Sequence, residues 1–288
     1  MRSFTAVVNP TAGGGSAAKK LFALARLLRE AGAPLQVDYS RDLAHAKDLA
    51  RAAAARGDTV LGVGGDGIAG TVGGALVGTD AEYAIVPAGR GNDFARQIDL
   101  PTAPEALVDL LLHGEAKPTD ALEVEGEPAL GSVYAGVDAN ANAYANKTWL
   151  RGRASYTWGA VKAVAAWRST TYTVVLDGTP HEYRAYAVVA ANSGYYGYNR
   201  HVAPSASVED GLLDIVVIKE SSRPLLARIL LELESGTHVT RPQVEVLRAK
   251  EVHLSATRPL RYGSDGELPG HLPITVRALP GALNLIRP

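Results

Sequence analysis

Through the first hundred residues, short apolar runs rich in β-favouring side chains alternate with longer stretches of helical period. The runs cover residues 4–9, 35–39, 59–63 and 83–86. After the first of them, Ser16 can cap a helix whose Leu21, Leu24, Leu27 and Leu28 fall on one face, and Gly32 and Pro34 end it. An alanine-rich helix is predicted over 43–56, another from the glycine turn at 64–67 through Leu76, and a short one over 92–97. A further helix over 104–113 carries Leu107, Leu110 and Leu111. This alternation predicts a doubly wound α/β domain with a mostly parallel sheet.

From about residue 117 the pattern changes to β-favouring stretches punctuated by glycine, at 121–124, 132–137, 172–176, 183–191, 213–218, 243–247, 251–255 and 274–278. Asp177-Gly178 is a hairpin turn between two of them, and helical patches interrupt at 156–167 and 224–233. The second half therefore reads as a mostly antiparallel β domain, with the boundary near residue 118 drawn from the change of pattern alone.

Composition narrows the picture by exclusion. A chain of 288 residues with 47% hydrophobic side chains has material for two domains. A formal net charge of -1 gives no basic footprint for nucleic acid. With no cysteine, disulfides, thiolate metal sites and cysteine nucleophiles are excluded, and a reducing cytoplasm is the expected compartment. The apolar run before Asn9 is too brief for a signal peptide, and no stretch approaches the roughly 20 apolar residues of a spanning helix, so contact with lipid is expected to be peripheral.

Candidate chemistry sits where strands end. The run 59–63 leads directly into Gly64-Gly65-Asp66-Gly67 and then a helix; such a turn lets the backbone approach phosphate oxygens beside helix N-terminal N–H groups. Gly62, Gly64 and Gly67 also satisfy the dinucleotide pattern G-x-G-x-x-G. However, this is at least the third strand in sequence rather than the first, where that pattern belongs. Asp66 within an anion-binding turn calls for a cation between carboxylate and phosphate, as a magnesium nucleotide would supply; alternatively its carboxylate accepts backbone N–H groups in a plain tight turn. Two further glycine turns follow the first and fourth strands, Asn9-Pro10-Thr11-Ala12-Gly13-Gly14-Gly15 and Pro87-Ala88-Gly89-Arg90-Gly91-Asn92-Asp93. Open α/β sheets place ligands at that rim. A Walker P-loop is excluded by the lack of any Gly-Lys pair.

These turns resemble those of the diacylglycerol kinase and sphingosine kinase catalytic-domain superfamily, in its bacterial soluble branch. Asn9 to Gly13 is similar to the family's N-P-x-(S/A)-G, Gly64 to Ile68 to its G-G-D-G-T, and Pro87 to Arg96 to its P-x-G-T-x-N-D-F-A-R. Downstream, Asp210-Gly211-Leu212-Leu213-Asp214 resembles D-G-x-L-D, and Asp265-Gly266-Glu267 resembles the late D-G-E. The resemblance implies an α/β nucleotide domain at 1–118, rejoined by 282–288, and a β-sandwich domain at 119–281 with the active site in the cleft between. It implies ATP and Mg2+, with nucleotide contacts from Asn9, Ser40, Gly64, Gly65, Asp66, Gly67, Ile68, Ala69, Gly70, Gly89, Arg90 and Asn92. Asp265 is the implied general base, with Glu267 and Asp66 beside it in catalysis, and the acceptor is a lipid hydroxyl, diacylglycerol-like or sphingoid-like, at a membrane surface. Ser207, Asp210 and Leu212 resemble a structural Mg2+ or Ca2+ site.

Locally, Asp265-Gly266 also reads as a β-turn. The sequence departs from the family at Ile68 and Arg90, where threonines are usual, and at Thr71, where glutamate is. A nucleotide- or lipid-binding protein without turnover is therefore an alternative, as is a kinase of another hydroxyl such as that of NAD. The seven histidines show no metal-binding spacing and are read as surface or structural. Tyr195, Tyr196 and Tyr198, with Trp149, Trp158 and Trp167, are candidates either for a lipid-facing cleft or for packing.

Overall fold

The computed structural model describes residues 2–10, 16–137, 139, 158, 162, 168–265 and 267–288. The predicted helix over 156–167 falls outside these residues apart from Trp158 and Lys162. The chain divides into two compact units: Met1–Ala121 with Pro128–Leu130 and Pro280–Pro288, and Leu122–Glu127 with Gly131–Leu279.

In the first unit β1 (Phe4–Val8), β2 (Leu35–Tyr39), β3 (Thr59–Gly64) and β4 (Glu82–Pro87) form a parallel sheet in the order β2-β1-β3-β4. At its far edge Asn284 and Leu285 pair in parallel with Glu82 and Tyr83, so the C-terminus supplies a fifth strand. Among the described residues the helices of this unit are α1 (Ser16–Glu30), α2 (Leu43–Ala55), α3 (Asp66–Gly74), α4 (Asp93–Gln97) and α5 (Pro104–His113). Leu21, Leu24 and Leu28 of α1 and Leu107, Val108 and Leu111 of α5 bury one sheet face with Phe4, Ala6, Leu61 and Val86. On α2 the buried positions are Ala46, Ala50 and Ala53, whose small side chains let helix and sheet approach closely; its N-cap Asp42 accepts the His45 N–H at 2.7 Å. α3 ends at Gly74, two residues before the predicted Leu76, because two consecutive glycines are a poor continuation. Asn92 lies just outside α4, at φ 52°.

The second unit is antiparallel. β5 (Ala116–Val124), which starts earlier than predicted, leads into it, followed by β6 (Glu127–Ala129) and β7 (Ser132–Gly136). Next come β8 (Thr170–Leu176), β9 (Thr179–Ala191), the short β10 (Tyr195–Tyr196) and β11 (Arg200–His201), and β12 (Leu213–Lys219). Helix α6 (Arg223–Glu232) precedes β13 (Val244–Ala249), β14 (Glu251–Ala256), β15 (Arg261–Ser264), β16 (Glu267–His271) and β17 (Ile274–Ile286).

The long β9 joins two layers. Its second half lies between β7 and β12, in a layer extended by β13 on one side and by β15 and β16 on the other. Its first half pairs with β8, which continues through β14 to β17. The β8–β9 turn is Asp177-Gly178, both at positive φ, as the hairpin pattern predicts.

Candidate functional site

In the first unit the carboxyl ends of the strands are tied by main-chain bonds. Ser40, buried at the end of β2, gives its N–H (2.9 Å) and its hydroxyl (3.2 Å) to the Val8 carbonyl, and Asn9 N–H reaches Val63 O at 3.4 Å. The second and third glycine turns touch directly: Ala88 N–H donates to Gly64 O at 2.7 Å, and a methyl on Gly89 would lie under 3.0 Å from the Gly65 Cα. Only two glycines allow that approach. Asn92 closes the third turn, its Oδ1 accepting Gly89 N–H at 2.9 Å and its Nδ2 donating to Gly89 O at 3.1 Å. The first turn is described only at Asn9 and Pro10.

Asp66 opens α3, yet its carboxylate serves the other turn. Oδ1 accepts the Phe94 N–H at 3.3 Å, and the N–H groups of Asp93 and Asn92 also face it. The side chain therefore binds backbone N–H groups, as a tight-turn carboxylate would, but those of α4, across the chain. Burial pushes its pKa above the usual carboxylate range, outweighing the N–H groups that pull it down. A methyl on Gly91 would stand 2.9 Å from Asp66 Oδ2 and 3.3 Å from Asp93 Oδ2, so the two carboxylates converge on one point. Asp93 is buried.

Such a pair fits a magnesium nucleotide, since Mg2+ is held by one or two carboxylates together with substrate phosphates. Gly67 has nothing within 4 Å of where a Cβ would project, which leaves space at the positive N-terminal end of α3 for an anion. Ile68 is buried at 3% exposure, so its side chain packs inward and only its backbone faces the turn; Arg90 is exposed. Ala69 and Gly70 are buried in the same helix.

Three residues here were not singled out from the sequence. Asp93 had a signal, a second acid at the end of a glycine turn. Lys20 donates to the Pro87 carbonyl, bringing an ammonium to the third turn; it sits four residues before buried Leu24, a cation on the edge of an apolar stripe. Tyr83, fully buried, donates to Ala69 O and gave no local signal.

In the second unit Asp265 forms the connection between β15 and β16, where Ser264 pairs with Glu267. Its φ of 45° suits that tight link, so the β-turn and the candidate base are one feature. Oδ1 accepts the N–H groups of Gly131 (2.9 Å) and Ser132 (3.2 Å), which fix the carboxylate in orientation. Glu267 begins β16 and is exposed.

The loop at 207–212 is the candidate cation site, formed of the Asp210 carboxylate and main-chain oxygens, and its side chains have partners of their own. Asp210 Oδ1 accepts the Leu212 N–H at 3.1 Å and Oδ2 lies 3.7 Å from the Arg248 guanidinium; Ser207 Oγ accepts the Glu209 N–H. Arg248 also bonds Asp214 Oδ1 (3.1 Å) and Ser205 O (2.9 Å), so a guanidinium supplies the positive charge among these oxygens. Among the described residues no three acidic or histidine side chains gather as metal ligands.

Tyr196 packs in the core, edge-on to Tyr134 at 5.6 Å, and Tyr195 stacks on His201 at 4.2 Å. Trp158 is exposed, and Trp149 and Trp167 lie outside the described residues.

His238 is a buried structural histidine. Its Nε2 meets the Val202 carbonyl at 2.9 Å, and among the described residues no hydrogen-bond partner reaches Nδ1. Burial holds its pKa below the ordinary 6.5, with the Val202 carbonyl and Glu232 pulling upward and His201 downward. Below 6.5 the unfolded chain gains a proton that the folded one refuses, so stability is full above that pH and falls as pH drops toward the folded value. Melting temperatures across about pH 7.5 to 5.5 are expected to fall less steeply for His238→Gln, which keeps a donor for Val202; equal slopes would remove His238 from the pH response.

The chain matches the diacylglycerol kinase catalytic domain over residues 3–124 and the YegS C-terminal NAD kinase beta sandwich-like domain over 131–287. It is 34% identical over 294 residues to a diacylglycerol kinase of Mycobacterium tuberculosis (strain ATCC 25618 / H37Rv), covering 99% of this chain and 94% of that one. To a diacylglycerol kinase of Bacillus subtilis (strain 168) it is 24% identical over 281 residues, covering 95% and 92%. The crystal structure of a diacylglycerol kinase from Bacillus anthracis strain Sterne shares the fold, with a TM-score of 0.76 at 20% identity over 100% of this chain and 97% of that one. A second structure from that organism reaches a TM-score of 0.84 at 21% identity, over 100% and 95%. With an α/β unit of stitched glycine turns followed by an antiparallel sandwich, and with both domains matched in order, the chain belongs to the diacylglycerol kinase catalytic-domain family and is a lipid kinase, a phosphotransferase.

Proposed function

We propose that this kinase transfers the γ-phosphoryl group of ATP to the free hydroxyl of a diacylglycerol-like lipid at a membrane surface. The observation that carries the donor side is the direct contact of the Gly65 and Gly89 turns, which sets the N-terminal end of α3 beside the converging carboxylates of Asp66 and Asp93. Those carboxylates would hold Mg2+ on the nucleotide, and the bound ion would supply neutralisation of phosphate charge. The first turn of α3, with Ser40 and Asn9 on neighbouring strand ends, would receive the phosphates; exposed Arg90 adds a charge that a threonine would not.

On the acceptor side an alcohol needs a base. We assign Asp265: its Oδ1 is anchored by two amides, and the carboxylate takes the lipid hydroxyl proton as the new O–Pγ bond forms and the bond from Pγ to the β-phosphate oxygen breaks, releasing ADP. Glu267, two residues on, is assigned an orienting role. No step is assigned to a cation at Ser207, Asp210 and Leu212, where Arg248 already meets the carboxylate.

The relatives named diacylglycerol kinase favour that lipid. Transfer of labelled phosphate from ATP to a panel of diacylglycerol, a sphingoid base, phosphatidylglycerol and NAD is expected to label diacylglycerol most strongly. Labelling of NAD alone would replace the lipid assignment. ATP binding without any transfer would favour a binding protein that has lost turnover.

A further inference from the structure

α3 is a helix that holds itself poorly. Its nine residues include Gly67, Gly70, Gly73 and Gly74, and glycine is a poorer helix former than alanine. Helix propensity therefore does not fix its height or rotation on the sheet, and tertiary contacts must.

One side chain supplies a polar anchor. Tyr83 of β4 is fully buried, and its hydroxyl donates to the Ala69 carbonyl, in the middle of α3, at 2.7 Å. Burial pushes the phenol far above its ordinary pKa, so the group remains a donor. The ring occupies space left by two glycines on facing elements. A methyl on Gly62 of β3 would fall under 3.0 Å from the Tyr83 hydroxyl, with the nearest ring carbons at 3.2 Å. A methyl on Gly73 of α3 would stand 2.9 Å from the ring and 2.7 Å from Leu130. Gly62, which in the sequence completes a dinucleotide-type glycine pattern, is thus small to make room for a tyrosine.

We infer that Tyr83 is a positioning residue for the nucleotide, its hydroxyl locking α3 onto the sheet so that the first-turn N–H groups, three residues upstream of Ala69, are held where the phosphates arrive. The inference rests on the proposed nucleotide site. A strut of this kind acts on ground-state binding of ATP more than on the chemical step, because it touches neither the reacting atoms nor the lipid.

The test is direct nucleotide binding by titration calorimetry together with KM and kcat for ATP, on wild type, Tyr83→Phe, Gly62→Ala and the double variant, each checked by thermal melting. Tyr83→Phe is expected to raise the ATP dissociation constant and KM about tenfold, the effect of one buried hydrogen bond, with kcat within about twofold. Gly62→Ala is expected to weaken binding at least as much, since its methyl displaces the hydroxyl. Adding Tyr83→Phe to Gly62→Ala is expected to restore binding to the level of Tyr83→Phe alone, because only ring carbons at 3.2 Å remain. Unchanged ATP affinity in Tyr83→Phe, or additive losses in the double variant, would overturn the inference while leaving the nucleotide site standing. A wild-type protein that does not bind ATP would overturn both.

Discussion

Asp265→Asn is expected to lower kcat for phosphoryl transfer by about 10²–10⁴-fold while leaving ATP affinity within a factor of about two. Asparagine is the informative substitution. Its side-chain oxygen can still accept the Gly131 and Ser132 N–H groups, and it tolerates the left-handed backbone that Asp265 adopts at φ 45°. What it loses is the capacity to take a proton. A thousandfold loss corresponds to about 4 kcal/mol of transition-state stabilisation, well above the 0.5–1.5 kcal/mol of an ordinary net hydrogen bond, so the magnitude separates a base from a turn former. Gly131→Ala approaches the same group sterically: the new methyl would stand 2.5 Å from Asp265 Oδ1, and the carboxylate must move. Turnover close to wild type in Asp265→Asn, on the lipid that wild type labels, would place the base elsewhere.

Burial periodicity was legible in the sequence because it is local. β2 and α5 run over the residues that their apolar spacing predicts, and the turns at the strand ends follow from glycine placement alone. The partners of individual polar groups were not legible. Asp66 meets an N–H 28 residues away, and Arg248 meets an aspartate 34 residues away; no periodicity encodes such pairs. Asp66 is such a case: its letters leave open a cation shared with phosphate or backbone N–H groups in a tight turn, and the N–H groups that it meets lie at the start of α4. Gly62, which completes the G-x-G-x-x-G pattern, accommodates Tyr83. Arg248 was invisible for the same reason: it reaches Asp210 and Asp214 from another strand, a pairing that the loop's own letters do not carry.

Two glycine-to-alanine substitutions in the nucleotide turns should separate folding from binding. Gly89→Ala places a methyl under 3.0 Å from the Gly65 Cα, a backbone atom that no rotamer change can move aside. The two turns must then part, taking with them the bond from Ala88 N–H to Gly64 O and the support of Asp66 by α4. A melting temperature several degrees lower is expected, consistent with a loss of about 1–3 kcal/mol for overpacking, with ATP binding reduced at least a hundredfold. Gly67→Ala is the opposite case. Nothing lies within 4 Å of its new methyl and the backbone is helical, so the empty protein should be about 0.5–1 kcal/mol more stable. Yet that open space is where phosphate oxygens must approach the first turn of α3, so the same methyl should weaken ATP at least tenfold. Calorimetric binding beside thermal melts reads both quantities in one pair of variants. Higher stability with weaker ATP in Gly67→Ala would tie the vacancy at the helix start to the phosphates, whereas unchanged ATP affinity there would move the phosphate site off the second turn.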